Sequence, residues 1–241
     1  MKKIVFLLLL VMAGTLVQSQ EYRKDTAAVM AFDRMSNLIG DLESCSFQLM
    51  VSYDVIDIEL GLVKYFNNHK VYMEGPDKMV VQSKGKKGHH GFWYSGTNLT
   101  YYSYTENNFA VIEVPDNIIA TIDTVNKRYG VDFPAADFFY PTFTDDMIEN
   151  FDDLIYAGIV ETEGKSCHHI IAKNPSMGVQ FWLSTDEWPL PSKFVIVYYD
   201  QDPNMQYQGT FFDWKLNPDF PSSMFEFIPP PDANELRMQP K

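Results

Sequence analysis

The stretch from Val179 to Leu216, VQFWLSTDEWPLPSKFVIVYYDQDPNMQYQGTFFDWKL, restricts the fold more than any other part of the chain. Three β-branched and aromatic runs lie head to tail in it: Val179–Ser184, Lys193–Tyr199 and Gln206–Leu216. Asp186-Glu187 with Pro189 and Pro191 divides the first two, and Asp200-Gln201-Asp202-Pro203-Asn204 the last two. Runs this short, punctuated by turn chemistry, predict an antiparallel meander. Alternate residues of a strand face opposite sides. The last run is therefore expected to set Thr210, Phe212, Trp214 and Leu216 on one face and Tyr207, Gly209, Phe211 and Asp213 on the other. The middle run is apolar on both faces, so each side of the sheet there needs at least partial cover.

Upstream, Ala28, Ala31, Met35, Leu38 and Leu42 recur at helical spacing, with Phe32 and Ile39 widening the stripe. They predict one amphipathic helix from Asp25 to Leu42, capped by Asp25 or Thr26. A strand-rich block follows. It includes Phe47–Tyr53, Leu62–Phe66, an Asn67-Asn68 hairpin turn and Lys70–Glu74, then Lys78–Ser83, His90–Ser95, Asn98–Tyr104 and Phe109–Val114. Short connections make such strands sequential antiparallel neighbours. The meander is interrupted from Asp116 to Phe151. Ile118, Ile122 and Val125 form one helical stripe, with Asp116 as the expected N-cap and Gly130 as C′. Phe138, Phe139 and Phe151 add bulk, so this insert is too apolar for a solvent loop. Strands resume at Asp153–Thr162 and Cys167–Lys173, and Phe225–Ile228 is expected to close the sheet. The order predicts a mainly β (α+β) fold: a strongly curved antiparallel half-barrel of about a dozen strands, with an N-terminal helix and a mid-chain helical plug.

The first residues, MKKIVFLLLLVMAGTLVQS, place two lysines before an apolar run and small Ser19 at its end. That is the pattern of a cleaved signal peptide over residues 1–19, which implies a periplasmic, secreted protein. No later apolar run is long enough to span a bilayer, so no transmembrane segment is expected in the mature chain. A single domain over residues 20–231 and a loose tail over 232–241 are expected, and a monomer. The formal charge of −13 includes both leader lysines, so the mature chain is more acidic still. Nucleic acid and anionic surfaces repel such a chain. An exported chain with two cysteines, Cys45 and Cys167, invites a disulfide between them.

An ordered set of short motifs runs along the chain. It comprises Trp93-Tyr94-Ser95-Gly96, Leu99-Thr100-Tyr101-Tyr102, Phe109-Ala110, Val114-Pro115 and Phe133-Pro134-Ala135-Ala136-Asp137. It continues with Tyr156-Ala157-Gly158, Cys167-His168-His169, Phe181-Trp182-Leu183, Trp188-Pro189-Leu190-Pro191-Ser192-Lys193, Asp213-Trp214 and Phe225-Glu226-Phe227. Together they resemble a family of predicted periplasmic proteins of unknown function, similar in fold to the LolA/LolB lipoprotein carriers. The resemblance implies a half-barrel with helices plugging its concave side and, beyond that, a pocket for acyl chains or another apolar ligand. It carries over no binding residue, because no ligand motif matches.

Catalytic patterns are sparse. Adjacent His89-His90 and His168-His169 point to opposite faces of a strand and cannot chelate as pairs. His-Glu-x-x-His and Cys-x-x-Cys do not occur in the sequence. Asp145 and Asp146 fall at a helix start, where carboxylates stabilise the dipole. No metal, no cofactor and no enzymatic activity are expected. The aromatics, 18 Phe, 14 Tyr and 4 Trp, serve a core or a ligand pocket. The expected function is a binding protein holding a lipid, an acyl chain or another apolar ligand between sheet and plug, with a lipid or an acylated protein as partner. The alternative is an envelope protein–protein or sensor module with a filled barrel. The candidate cavity residues are Phe181, Leu183, Phe212, Trp214 and Leu216 from the sheet, with Ile118, Ile122, Val125, Phe138 and Phe139 from the plug.

Overall fold

The computed structural model describes residues 22–241, and the leader read at 1–19 lies outside them. The first helix, α1 (Thr26–Gly40), buries Ala28, Ala31, Phe32, Met35 and Ile39, the stripe its spacing calls for. Asp25 precedes it, but its carboxylate caps nothing. It accepts instead from the backbone N–H of Tyr156 at 2.9 Å and from Arg23.

Six strands follow: β1 (Ser44–Asp57), β2 (Gly61–Glu74), β3 (Lys78–Gly85), β4 (Gly88–Ser95), β5 (Asn98–Ser103) and β6 (Asn108–Glu113). The insert comprises α2 (Ile118–Tyr129), a 3₁₀ turn at Ala136–Phe139 and α3 (Phe143–Asn150). Five more strands are β7 (Asp153–Thr162), β8 (Lys165–Lys173), β9 (Met177–Ser184), β10 (Pro191–Tyr198) and β11 (Gln206–Leu216), and the two-residue β12 (Asn234–Glu235) ends the chain. Among the described residues these twelve strands make one curved, unclosed sheet in the order β12-β6-β5-β4-β3-β2-β1-β11-β10-β9-β8-β7.

That order explains the insert. Strands β2 to β6 step outward from β1 to one edge, while β7 starts at the opposite edge and β8 to β11 step back. Between β6 and β7 the chain must cross the whole sheet. Crossing on the concave face lets Ile118, Ile122, Val125, Phe133, Phe138, Phe143 and Phe151 join α1 and the inward side chains in one core. α2 docks at the β3–β5 end: Ile118 N–H bonds Pro76 O at 2.9 Å, and Tyr94 Oη and Thr121 Oγ1 both donate to Pro115 O. Its N-cap is Asn117, whose side chain accepts from Ala120 N–H, not Asp116. Gly130 closes it in the left-handed conformation that glycine adopts without penalty.

Five further expectations are corrected. First, Asn67-Asn68 is no turn; both lie inside β2, paired with Val51 and Met50. The hairpin instead turns at Asp57, whose Oδ1 accepts from Glu59 and Leu60 N–H before Gly61 at φ 75°. Second, β11 carries a bulge. Ser46 faces Lys215 and Gln48 faces Phe212, so two residues oppose Phe47, and Asp213 takes φ 55°. The extra residue reverses the face on which later side chains point. Phe211 and Gly209 are therefore inward with Trp214 and Leu216, and Phe212 is on the outer side with Gln48.

Third, Cys45 and Cys167 are buried and unbridged. Cys45 belongs to the concave core, whereas Cys167 pairs with outward Ser184 beside inward His168. Three strands separate β1 from β8, four spacings of ~4.8 Å each, so the Cα atoms are beyond disulfide reach. Alkylation of the denatured, unreduced protein should therefore label two thiols; a mass without label would restore the bridge. In the native state burial pushes the Cys45 thiol up to about 12, so slow labelling is expected there.

Fourth, Phe225–Ile228 forms no strand. Ser222–Phe225 is a 3₁₀ turn on the convex face, where Phe225 is buried and Phe227 packs on Trp93, Tyr102 and Phe109. Pro221 and Pro229–Pro231, which offer no N–H donors, keep this segment out of the sheet. Fifth, the tail is tied down: β12 pairs in parallel with β6, and Leu236 N–H and Lys241 N–H bond Phe109 O and Arg128 O. At the other edge Lys24 bridges Leu154 of β7. The two ends of the described chain thus each cover a sheet edge that would otherwise present unpaired backbone.

Candidate functional site: a cleft between sheet and insert

A cleft of about 660 Å³ opens between the concave face and the insert. Its size is that of ligand pockets in general, ~300–1,000 Å³. The floor comes from β9, β10 and β11: Val179, Phe181, Phe194, Ile196 and Tyr207. The insert supplies Ile122, Phe133, Phe138, Phe143, Met147 and Phe151 as the opposite wall. Phe138 is the centre of the aromatic packing, with ring centroids 5.3 Å from Phe143, 5.4 Å from Phe211, 5.5 Å from Phe194 and 6.0 Å from Phe181. Gly209 makes this possible. Its missing Cβ would lie 2.3 Å from the Phe194 ring, so only glycine lets that ring lie across β11.

Of the residues singled out from sequence, Phe181, Ile122 and Phe138 line the cleft. Phe139 instead stacks on Phe47, with centroids 5.8 Å apart. Ile118, Val125 and Leu183 are buried in the surrounding core, and Trp214 and Leu216 pack against its border. Trp214 also donates from Nε1 to Pro191 O at 3.2 Å. Phe212 is outside, as the bulge requires. α2 faces β2 and β3 more than β11, with Ile122 near Val71, Met73, Met79 and Val81.

Sequence reasoning missed the polar side of the cleft. Asn67 and His69 point inward from β2, and Asp123, Asn126, Asp132, Asp137 and Tyr140 line it from the insert, with Tyr198 and Tyr207 from the sheet. The misplaced turn at Asn67 hid the first two. The three aspartates sit in a segment whose apolar content dominated its reading.

His69 is buried, and its Nδ1 pairs with Ser83 Oγ at 2.7 Å. Burial, aided by nearby His90, lowers its pKa to about 4 from an ordinary 6.5. The unfolded chain then takes up a proton that the folded one refuses, so this contribution is complete above pH 6.5 and lost as pH falls towards 4. Acidification from pH 7 to 5 should cost roughly 2 kcal/mol through this group alone. Urea titrations at the two pH values check it: His69→Gln should show a smaller difference between them than the parent, and an equal difference would assign the sensitivity elsewhere. Burial also pushes the Tyr207 hydroxyl up to about 12. Asp137 keeps contact with solvent, yet its apolar surroundings raise its carboxyl above the usual range, with Asp132 and Asp146 adding repulsion. Tyr140 donates to Asp123 Oδ1, and its own ionisation is pushed upward.

The other histidines are separately accounted for. His168 Nδ1 bonds Tyr156 Oη at 2.8 Å, and His169 stacks on Trp182 on the opposite face. β4 and β8 are not neighbours, so His90 and His169 do not meet. Among the described residues no group of three or more His, Cys, Asp and Glu is placed to hold a metal ion. No described helix is long and apolar enough to cross a membrane.

The fold is an unclosed half-barrel with a helical insert lying over an apolar cleft. The chain belongs to the family described as predicted periplasmic protein (DUF2092), which matches residues 28–239. The periplasmic location expected from the leader agrees with that description. No curated protein matches the chain. Among solved structures, an uncharacterized conserved protein from Thermus thermophilus is similar with TM-score 0.50 and 13% identity, over 88% of this chain and 99% of that one. Mycobacterium tuberculosis lipoprotein LppX has the same TM-score and identity, over 82% of this chain and 99% of its own. A LolA superfamily protein from Nitrosomonas europaea matches at TM-score 0.38 and 8% identity, over 83% and 97%.

Proposed function

We propose that this protein is a non-enzymatic periplasmic binding protein that holds the apolar chain of a lipid or of an acylated protein between sheet and insert. The observation that carries this reading is the aromatic cleft itself. Phe138, Phe143, Phe181 and Phe194 converge on it, yet leave about 660 Å³ unfilled. An open cleft of this size with aromatic walls and a few polar groups is the usual form of a small-ligand site. Its walls include an insert joined to the sheet by side-chain packing, which an entering chain can part. Native mass spectrometry of protein taken from the envelope should show a recurrent adduct, removed by organic extraction and identifiable in the extract. A bare chain in repeated gentle preparations would overturn the reading.

A second reading, an envelope partner protein, is favoured by one feature. The β1–β2 hairpin extends past the ends of β11 and β3, and its tip exposes Ile56, Ile58, Leu60 and Leu62. A contiguous exposed apolar patch of this kind marks interaction surfaces. Both functions can coexist, because the hairpin tip contributes nothing to the cleft lining.

A further inference from the structure

We infer that the cleft selects amphiphiles whose head group carries a positive charge and discriminates against fatty carboxylates and phosphate-headed lipids. The inference rests on the binding reading above and names the ligand class for that same cleft.

Two independent observations support it. The first is the charge of the lining. Asp123, Asp132 and Asp137 border the cleft, and no lysine or arginine does. None of the three takes part in a salt bridge among the described residues. Asp123 accepts from Tyr140 and Asp132 from Asn126, both neutral partners that leave the negative charge uncompensated. A cleft lined by one sign of charge between low-dielectric walls focuses such a field on whatever occupies it. An anionic head would have to approach these carboxylates with no cation to receive it, whereas an ammonium would find counter-charges already in place.

The second is His69. Its side chain is 9% exposed and lines the cleft, with Nδ1 held by Ser83. No described group bonds its Nε2. This ring nitrogen is not sealed from the cleft, so a ligand's hydrogen bond can replace a water's there. With the imidazole neutral near pH 7, it adds no positive charge that would welcome an anion. The apolar wall, the free nitrogen and the acidic border together describe an apolar chain, a polar link and a cationic head.

Isothermal titration calorimetry at pH 7.5 with dodecylammonium, dodecanol and dodecanoate, each below its micellar concentration, tests this. The expected order is ammonium tightest and carboxylate weakest, with roughly tenfold between these two at low salt. High salt should shrink the gap, since Asp123, Asp132 and Asp137 are all solvent-exposed. The double substitution Asp132→Asn with Asp137→Asn should bring the ammonium-to-carboxylate ratio most of the way to one, Asp123 alone remaining. Should the double variant fail to fold, Asp137→Asn alone, at an exposed position, should lower the ratio part of the way. Equal or tighter binding of dodecanoate, or a ratio untouched by the substitutions, overturns the charge selection. If dodecanol binds but charge makes no difference, only this inference falls; if none of the three binds, the apolar-ligand reading falls with it.

Discussion

Phe138→Ala is expected to lower the unfolding free energy by about 3–5 kcal/mol, the range for deleting a buried aromatic ring. The ring is 4% exposed and touches four other phenylalanines from three strands and α3. It is the point at which the insert is fastened to the sheet. Its loss removes apolar burial and edge-to-face contacts, and leaves a void beside a cleft that is already incompletely filled. The neighbouring rings can close that void only by moving off the strands that hold them. Chemical denaturation followed by circular dichroism measures the cost. A loss below about 1 kcal/mol would show that the insert is not held there, since surface substitutions rarely exceed that.

Ile122→Asp is expected to do more. Ile122 is 6% exposed and borders a small apolar pocket together with Phe47, Val71, Met73, Met79 and Val81 of the sheet. An aspartate there would bury a carboxylate with no cation in reach, at a cost of several kcal/mol. A chain of this size loses ~2–4 °C of melting temperature per kcal/mol. The midpoint should therefore fall by about 10 °C or more, and hydrogen exchange should rise across residues 116–151 before the sheet opens. Ile122→Ala, which only removes bulk, should cost about 2–5 kcal/mol. An unchanged midpoint for Ile122→Asp would place the insert outside the sheet and remove the wall of the cleft.

Much of this architecture is legible in the chain. The runs at Val179–Ser184 and Gln206–Leu216 match β9 and β11 to within two residues, because β-branched and aromatic runs between turn residues have few other outcomes. The stripe of Ala28, Ala31, Phe32 and Met35 makes α1, and Gly130 ends α2, because helical period and left-handed capping are local physics. The apolar insert is inside the half-barrel because its side chains have nowhere else to be buried.

What is not legible depends on partners distant in sequence. Asn67-Asn68 has the local chemistry of a turn, but continuous pairing along β1 keeps both residues in a strand and directs Asn67 into the cleft. Phe211 and Phe212 are adjacent and identical; which one faces the core is decided by a single extra residue at Asp213, invisible to any count of alternation. The two cysteines invite a bridge by composition, and only register and strand order set them on opposite faces with three strands between. The polar border of the cleft follows the same rule. Sequence by itself determined an acidic, mainly β chain with an amphipathic first helix and an apolar insert, since period, composition and turn chemistry act over a few residues. Only the tertiary structure decided which faces meet, which edges the chain ends cover and which aspartates and histidine share one cleft, since those depend on register and sheet order across more than a hundred residues of chain.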